Sequence, residues 1–320
     1  MLKPIVDMHT HTKISLCSSD ENANAQNYLD KAAEVGIQVL GITDHCWDPA
    51  VPGASGFYQK QDIEWVQQIR KQLPVDTHGV KFYIGIESEY CGMSDTLGIT
   101  AEGAKNFDYV LVPHSHTHMK NFVMPRDPIY QETGKKIEER MRAAFPEVSD
   151  RQIEKWMSMN RAADLEAVMG GKPEPDYQFL ADFLCESFVG LLNNEEFQRV
   201  RAIVPTIVAH PFNAVGYNLE QKSKMLRLIS DEKFKEMFTL MAEKGIGYDI
   251  SVTNVKIDDP ENCQMLRIIK LAKECGVKFT FCTDTHSVGG LQHAARTTAI
   301  YELAGMEKDD LHELIRDYVK

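Results

Sequence analysis

The stretch Ala272–His286 reads AKECGVKFTFCTDTH, and its order of residue types decides the fold. A helix-period segment ends at Cys275, Gly276 breaks it, and a β-branched and aromatic run follows at once. A glycine just past a helix supplies the left-handed residue that ends it. The same order recurs at Ala32–Thr43 (AAEVGIQVLGIT) and Met241–Ser251 (MAEKGIGYDIS), with Gly36 and Gly245 at the break. A helix that restarts within a residue as an apolar strand is the αβ turn of a repeating β/α unit.

Outward from that stretch, strand candidates lie at 4–9 (PIVDMH), 38–45 (QVLGITDH), 80–87 (VKFYIGIE), 109–116 (YVLVPHSH), 202–210 (AIVPTIVAH), 245–251 (GIGYDIS) and 277–286 (VKFTFCTDTH). Helix-period segments fall between them at 28–35, 62–73, 234–244 and 261–275. In the last of these Met265, Ile268, Ile269 and Ala272 form one apolar stripe at helical spacing. The strands are continuous apolar runs rather than alternating ones, as parallel strands buried on both faces require. About seven such units make either a doubly wound sheet or a barrel.

The polar residues favour the barrel, because nearly every strand candidate ends on a histidine or an acid. His9 and His11 end the first strand, His45 the second, Glu87 the third, His114 and His116 the fourth, His210 the fifth, and Asp284 and His286 the last. In a β/α barrel the C-terminal strand ends form one ring, where active sites are built. In extended chain, residues i and i+2 face one way, so His9 and His11 reach one point, as do Asp284 and His286. Neutral imidazoles with carboxylates suit Zn, Mn or Fe, and no clustered cysteines suggest a thiolate site. So many donors exceed the needs of one tetrahedral ion, so about two to three divalent ions are expected. Glu87 is the natural bridging carboxylate. A lone strand-end histidine is more often structural than ligating, yet only His78, His118, His293 and His312 of the eleven histidines fall outside the ring. His78, in a polar turn, and His312, on the last helix, read as surface residues.

Composition bounds the rest. The chain has 320 residues and a net charge of −12, with acids and bases interspersed. Duplex nucleic acid wants a basic stripe, and none is visible, so a nucleic-acid partner is not expected. No stretch is long and apolar enough to span a membrane. MLKPIVDMHTH enters a strand without a charged, then apolar, leader. Seven scattered cysteines without a CxxC pair read as reduced thiols, and the expected location is cytoplasmic. Residues 117–177 break the β/α rhythm, with a helix expected at Asp150–Val168 capped by Ser149 and the run GGKPEPD behind it. This is a helical insertion after the fourth strand within a single domain over 1–320, too short for a core of its own. An amphipathic helix follows at 177–192.

DMHTH, ITDH, GIE, the histidine-bearing end of strand four, VAHPF and TDTH, in that order, resemble the PHP family (polymerase and histidinol phosphatase). The resemblance covers nearly all of the chain outside the insertion. It implies a distorted (β/α)7, TIM-like barrel, a trinuclear Zn, Mn or Fe centre, and hydrolysis of phosphoesters. Carried over by position, the ligands are His9, His11, His45, Glu87, His210, Asp284 and His286, with Glu87, Asp284 and His286 also placed in catalysis. The family has one more His or Asp ligand shortly after the HxH pair, and Asp20 is the choice here, against a reading as a turn residue. On strand four, HSHTH offers several histidines; distance from the strand start favours His116, with His114 second.

The expected reaction is hydrolysis of a small phosphorylated metabolite, in the manner of a histidinol phosphatase, by a metal-activated water. Lys120, Arg126 and Arg161 in the insertion are candidates for holding the phosphate, against a reading as a solvated helix face. Asp7 is a candidate acceptor for an imidazole of the ring. An amidohydrolase-type C–N hydrolase also uses HxH and a late Asp on a barrel. That chemistry often places a carboxylated Lys on strand four, where this chain has HSHTH. A nuclease or phosphodiesterase would want a basic groove with stacking aromatics, and Phe57 and Tyr58 lie near the presumed mouth with few bases beside them.

Overall fold

The computed structural model describes residues 2–125, 174–320 and a few positions between 128 and 149. The strands are β1 Val6–Asp7, β2 Val39–Ile42, β3 Lys81–Ile84, β4 Ile86–Glu87, β5 Tyr90–Cys91, β6 Thr96–Leu97, β7 Val110–Pro113, β8 Thr206–Ala209, β9 Gly247–Ser251 and β10 Phe279–Cys282. One parallel sheet has the order β1-β2-β3, a second the order β10-β9-β8-β7-β4, and β5 and β6 form an antiparallel hairpin. The fold is therefore α/β with parallel sheets, and every expected strand is present, trimmed at its ends. The hairpin β5–β6 was not expected, because its strands are two residues long and carry no periodicity to read.

The two sheets meet edge to edge. Met8 N–H donates to Phe281 O (2.9 Å), Asp284 N–H to His9 O (3.1 Å) and His11 N–H to Thr285 O (2.9 Å). At the other edge Gly85 N–H donates to Ile42 O and Cys46 N–H to Glu87 O, both at 2.9 Å. Gly85 separates β3 from β4 for a steric reason. A Cβ there would stand 2.6 Å from the ring of Tyr109, whose hydroxyl donates to Met8 O at 2.6 Å. Tyr109 is thus a buried plug beneath the strand ends, tied to the residue preceding His9.

The helices follow from apolar stripes and caps. Ala25–Val35 is capped by Asn24 and closed by Gly36 at φ 84°. Asp231–Glu243 is capped by Ser230, and Gln264–Glu274 by the Cys263 sulfur. Gly245 and Gly276 take φ 62° and 84°, as the recurring turn requires. The expected helix at 62–73 is instead an α-turn, Ile63–Val66, running into a 3-10 helix, Gln67–Gln72. Tyr177–Asn193 is a helix capped by Asp176, with Leu180, Leu184, Phe188, Leu191 and Leu192 buried. The expected helix Asp150–Val168, with most of the proposed insertion, lies outside the described residues. All seven cysteines are free. Among the described residues no helix is long and apolar enough to cross a membrane.

His312 is a correction: it is buried, not on the surface. Its backbone N–H donates to Phe279 O, and its Nδ1 accepts from Leu314 N–H, capping the helix Glu313–Arg316. A polar residue at a helix start looks solvated in sequence, but this helix start is folded against the beginning of β10.

Two outcomes follow from these contacts. Gly85→Ala drives a methyl into the Tyr109 ring and should lose about 1–3 kcal/mol of stability in denaturant unfolding. Burial holds His312 down to about 4, so the folded state binds its proton less readily than the unfolded chain does. Its contribution is full above the free value of about 6.5 and is lost as pH falls towards 4. Relative to neutral pH, His312→Asn, which keeps a capping oxygen, should gain about 2 kcal/mol on the wild type at pH 5.

Candidate metal centre

The strand ends bring the expected residues together around one buried carboxylate. Glu87 is 1% exposed, and its Oε2 lies 3.1 Å from His9 Nε2, 3.4 Å from His11 Nε2 and 3.2 Å from His45 Nδ1. Its Oε1 lies 3.5 Å from His210 Nε2 and 3.6 Å from His116 Nε2. Asp284 stands across from it, with Oδ1 3.3 Å from His11 Nε2 and 3.6 Å from His9 Nε2, and Oδ2 3.9 Å from His210 Nε2. His286 stacks on His11 at 4.6 Å, and donor atoms of His11, His45 and His286 lie within 4.8 Å of one another. The His286 Nδ1–H donates to Asp284 O, leaving Nε2 as its free donor atom.

These spacings fit shared ions. Ligand atoms about 2.0–2.1 Å from a tetrahedral ion stand roughly 3.3–3.4 Å apart, and the donor separations here, 3.1–3.9 Å, bracket that value. Buried polar atoms are ordinarily partnered, yet Glu87 Oε1, His45 Nδ1 and His210 Nε2 are all buried without a hydrogen bond. Burial alone would raise the Glu87 carboxyl, but His9 and His45 outweigh it and hold it well below the usual carboxylate range. Burial holds the His45 imidazole well below its usual value, in the neutral form that binds metal. The residues present therefore fit a group of divalent ions.

Backbone strain is concentrated here too. His210 has φ 31°, Asp284 φ 55°, and Phe212 and Ala214, in the loop after β8, φ 61° and 42°. Non-glycine residues persist in this region where surrounding structure holds them there, and they cluster at functional sites. His114 is one of the holders. Its Nε2 accepts from Phe212 N–H at 3.0 Å, and its ring packs edge-on against Phe188 and Phe212. Of the two strand-four alternatives, His114 thus has its Nε2 occupied by the Phe212 backbone. His116 faces the ring instead, with Nδ1 fixed 2.7 Å from Glu89 Oε2 and Nε2 towards Glu87.

Other expected residues are placed elsewhere. Asp20 is half-buried in a turn, where its carboxylate accepts from the backbone N–H groups of Asn22 and Val288. Asp7 does not touch an imidazole: its carboxylate takes the backbone N–H groups of His9 and Thr283 and the Thr283 hydroxyl. Burial raises it to about 7. Lys120 is turned onto Tyr217, 3.2 Å from its hydroxyl, and onto the Met124 sulfur. Arg126 and Arg161 lie outside the described residues. His78 is exposed and paired with Asp30, and His293 is exposed. His118 sits beside His116, ring centroids 5.4 Å apart.

Sequence reasoning missed the residues that orient the donors. Asp249 Oδ2 lies 3.5 Å from His9 Nδ1, and neither atom makes a hydrogen bond. Its other oxygen accepts from the Thr280 hydroxyl. Asp44 binds both the N–H and the hydroxyl of Thr12, fixing the chain just past His11. The signals were present: an acid in the middle of the apolar run GYDIS, and Glu89 two residues from Glu87 on the same face.

Residues 7–190, more than half of the chain, match the sequence model of the PHP domain. The chain belongs to the PHP domain family. Among solved structures it is similar to the histidinol phosphate phosphatase of Lactococcus lactis subsp. lactis Il1403 complexed with Zn, L-histidinol and phosphate. That likeness has a TM-score of 0.55 and 16% identity over 96% of this chain and 95% of that one. It is a likeness of fold. A weaker similarity is to N-isopropylammelide isopropylaminohydrolase of Burkholderia multivorans ATCC 17616, with TM-score 0.37 and 12% identity over 92% of this chain and 60% of that one. No curated protein matches the sequence. The carboxylate behind His9 would set how firmly His9 holds an ion bound at this site. Asp249→Asn should weaken metal affinity about 10–100-fold, read by competition with a chelator, while secondary structure is kept.

Proposed function

We propose that the protein is a metal-dependent phosphomonoesterase acting on a small phosphorylated metabolite, with two to three Zn, Mn or Fe ions held around Glu87. The observation that carries this is the pair of Glu87 oxygens, each facing its own set of imidazoles. We read the parallel strands as the distorted seven-unit barrel of the family; the bonds joining both sheet edges support that reading. His9, His11, His45, His116, His210 and His286 with Glu87 and Asp284 are the proposed ligands. Bound there, divalent ions supply Lewis acidity that makes water acidic near neutral pH and neutralises phosphoryl charge.

The chain's own residues do the positioning. Glu87, fully enclosed, holds its two oxygens apart and keeps the imidazole sets at fixed separation. The Asp284 side chain, 26% exposed, is the acid that reaches the mouth, where its ionised carboxylate orients the attacking water. His286, also half-buried at the rim, lies on the path of the departing alcohol. Phe57, whose ring meets His45 edge-on at 5.2 Å, gives the organic leaving group an apolar surface on the side of His45 and His286.

Protein purified without chelator should carry two to three equivalents of metal and release phosphate from an aryl phosphate. His9→Ala and Glu87→Ala should lose bound metal and at least about a hundredfold in rate. Metal-loaded protein that leaves phosphomonoesters intact while cleaving phosphodiesters or C–N bonds would overturn the reading.

A further inference from the structure

Lys222 stands out among the basic side chains because its ammonium is held by asparagines of the loops that follow His210 and β9. It lies in the first turn of the helix Leu219–Arg227, which follows β8 and so starts at the end of the sheet that carries His210. Its Nζ donates to Asn213 Oδ1 at 2.6 Å and to Asn254 Oδ1 at 3.1 Å. Asn213 sits in the strained loop, its backbone N–H bonded to His210 O. Asn254 lies just past β9, its amide donating to Ser251 Oγ at 2.7 Å. Two neutral acceptors on neighbouring strand ends thus fix a cation, although neither neutralises it.

An ammonium has three N–H donors. Two are taken by the asparagines, and among the described residues no partner takes the third. The side chain is half-buried, and burial lowers it to about 8, with the charge of Asp284 pulling the other way. Among the described residues no carboxylate is paired with it in a salt bridge. A half-buried cation held without a counter-ion, beside a cluster of donors for divalent ions, is suited to an anion that arrives with the substrate.

We propose that Lys222, positioned by Asn213 and Asn254, binds a non-bridging oxygen of the substrate's phosphate and sets the orientation of the ester at the ring. This rests on the phosphoesterase reading above. It places the phosphate on the side of β8 and β9 and leaves the Phe57 side for the organic group.

The test uses metal-loaded protein and inorganic phosphate as the probe, by calorimetric titration and by inhibition of aryl phosphate hydrolysis. Lys222→Met should keep its metal content and weaken phosphate binding at least tenfold, with KM rising more than kcat falls. Lys222→Arg should recover part of the loss. Lys222→Gln, which retains polar contact with both asparagines but no charge, carries the test if the methionine variant does not fold. Phosphate affinity within about twofold of wild type in the folded, metal-loaded uncharged variant overturns the assignment. A wild type that neither binds phosphate nor hydrolyses any phosphomonoester would instead overturn the functional reading itself.

Discussion

One buried carboxylate organises this molecule. Glu87 is almost fully enclosed, and among the described residues no lysine or arginine is paired with it in a salt bridge. An ionised carboxylate in a protein interior is costly unless compensated by opposite charge and hydrogen bonds. Here its neighbours are imidazoles, which compensate it when they are protonated or when they share cations with it. Shared cations would account for imidazole nitrogens that converge at ligand-to-ligand distances while His45 Nδ1 and His210 Nε2 among them make no hydrogen bond. The histidines are not merely near Glu87; their strand ends meet around it.

The scaffold beneath makes that convergence rigid. Tyr109 fills the space under the ring, and Gly85 lets β3 and β4 pass over it while pairing with β2 on one side and β7 on the other. Bonds from the chain around His9 to β10 bring the HxH pair next to Asp284. Around the donors lies a layer of fixed acceptors: Asp249 behind His9, Glu89 behind His116 and the Asp284 carbonyl behind His286. Such partners set the ring orientation and tautomer of a ligand. The left-handed residues at His210 and Asp284 are held by this network, with His114 gripping Phe212.

Much of this was legible in the sequence, because it rests on local rules. Helix, glycine and apolar strand recur with one period, so the parallel α/β fold and its strand order in the chain could be read directly. Side-chain alternation in extended chain is enough to put His9 with His11 and Asp284 with His286. What was illegible depends on tertiary geometry. His114 and His116 have the same local pattern, and only the turn at Phe212 separates them. Asp7 and Asp249 are both acids within apolar runs, yet one binds backbone and the other backs an imidazole. His312 looked solvated because nothing local reveals that the last helix starts against β10. Lys222 is one of many lysines on helices, and only the two asparagines from different loops single it out.

The most direct measurement is a crystal structure of the protein purified without chelator, with anomalous difference maps collected at the zinc, manganese and iron edges. Separate peaks are expected on the two sides of Glu87, one by its Oε2 with His9, His11 or His45 and one by its Oε1 with His210 or His116. Maps without a peak within bonding distance of Glu87, from protein shown by elemental analysis to carry metal, would contradict that placement.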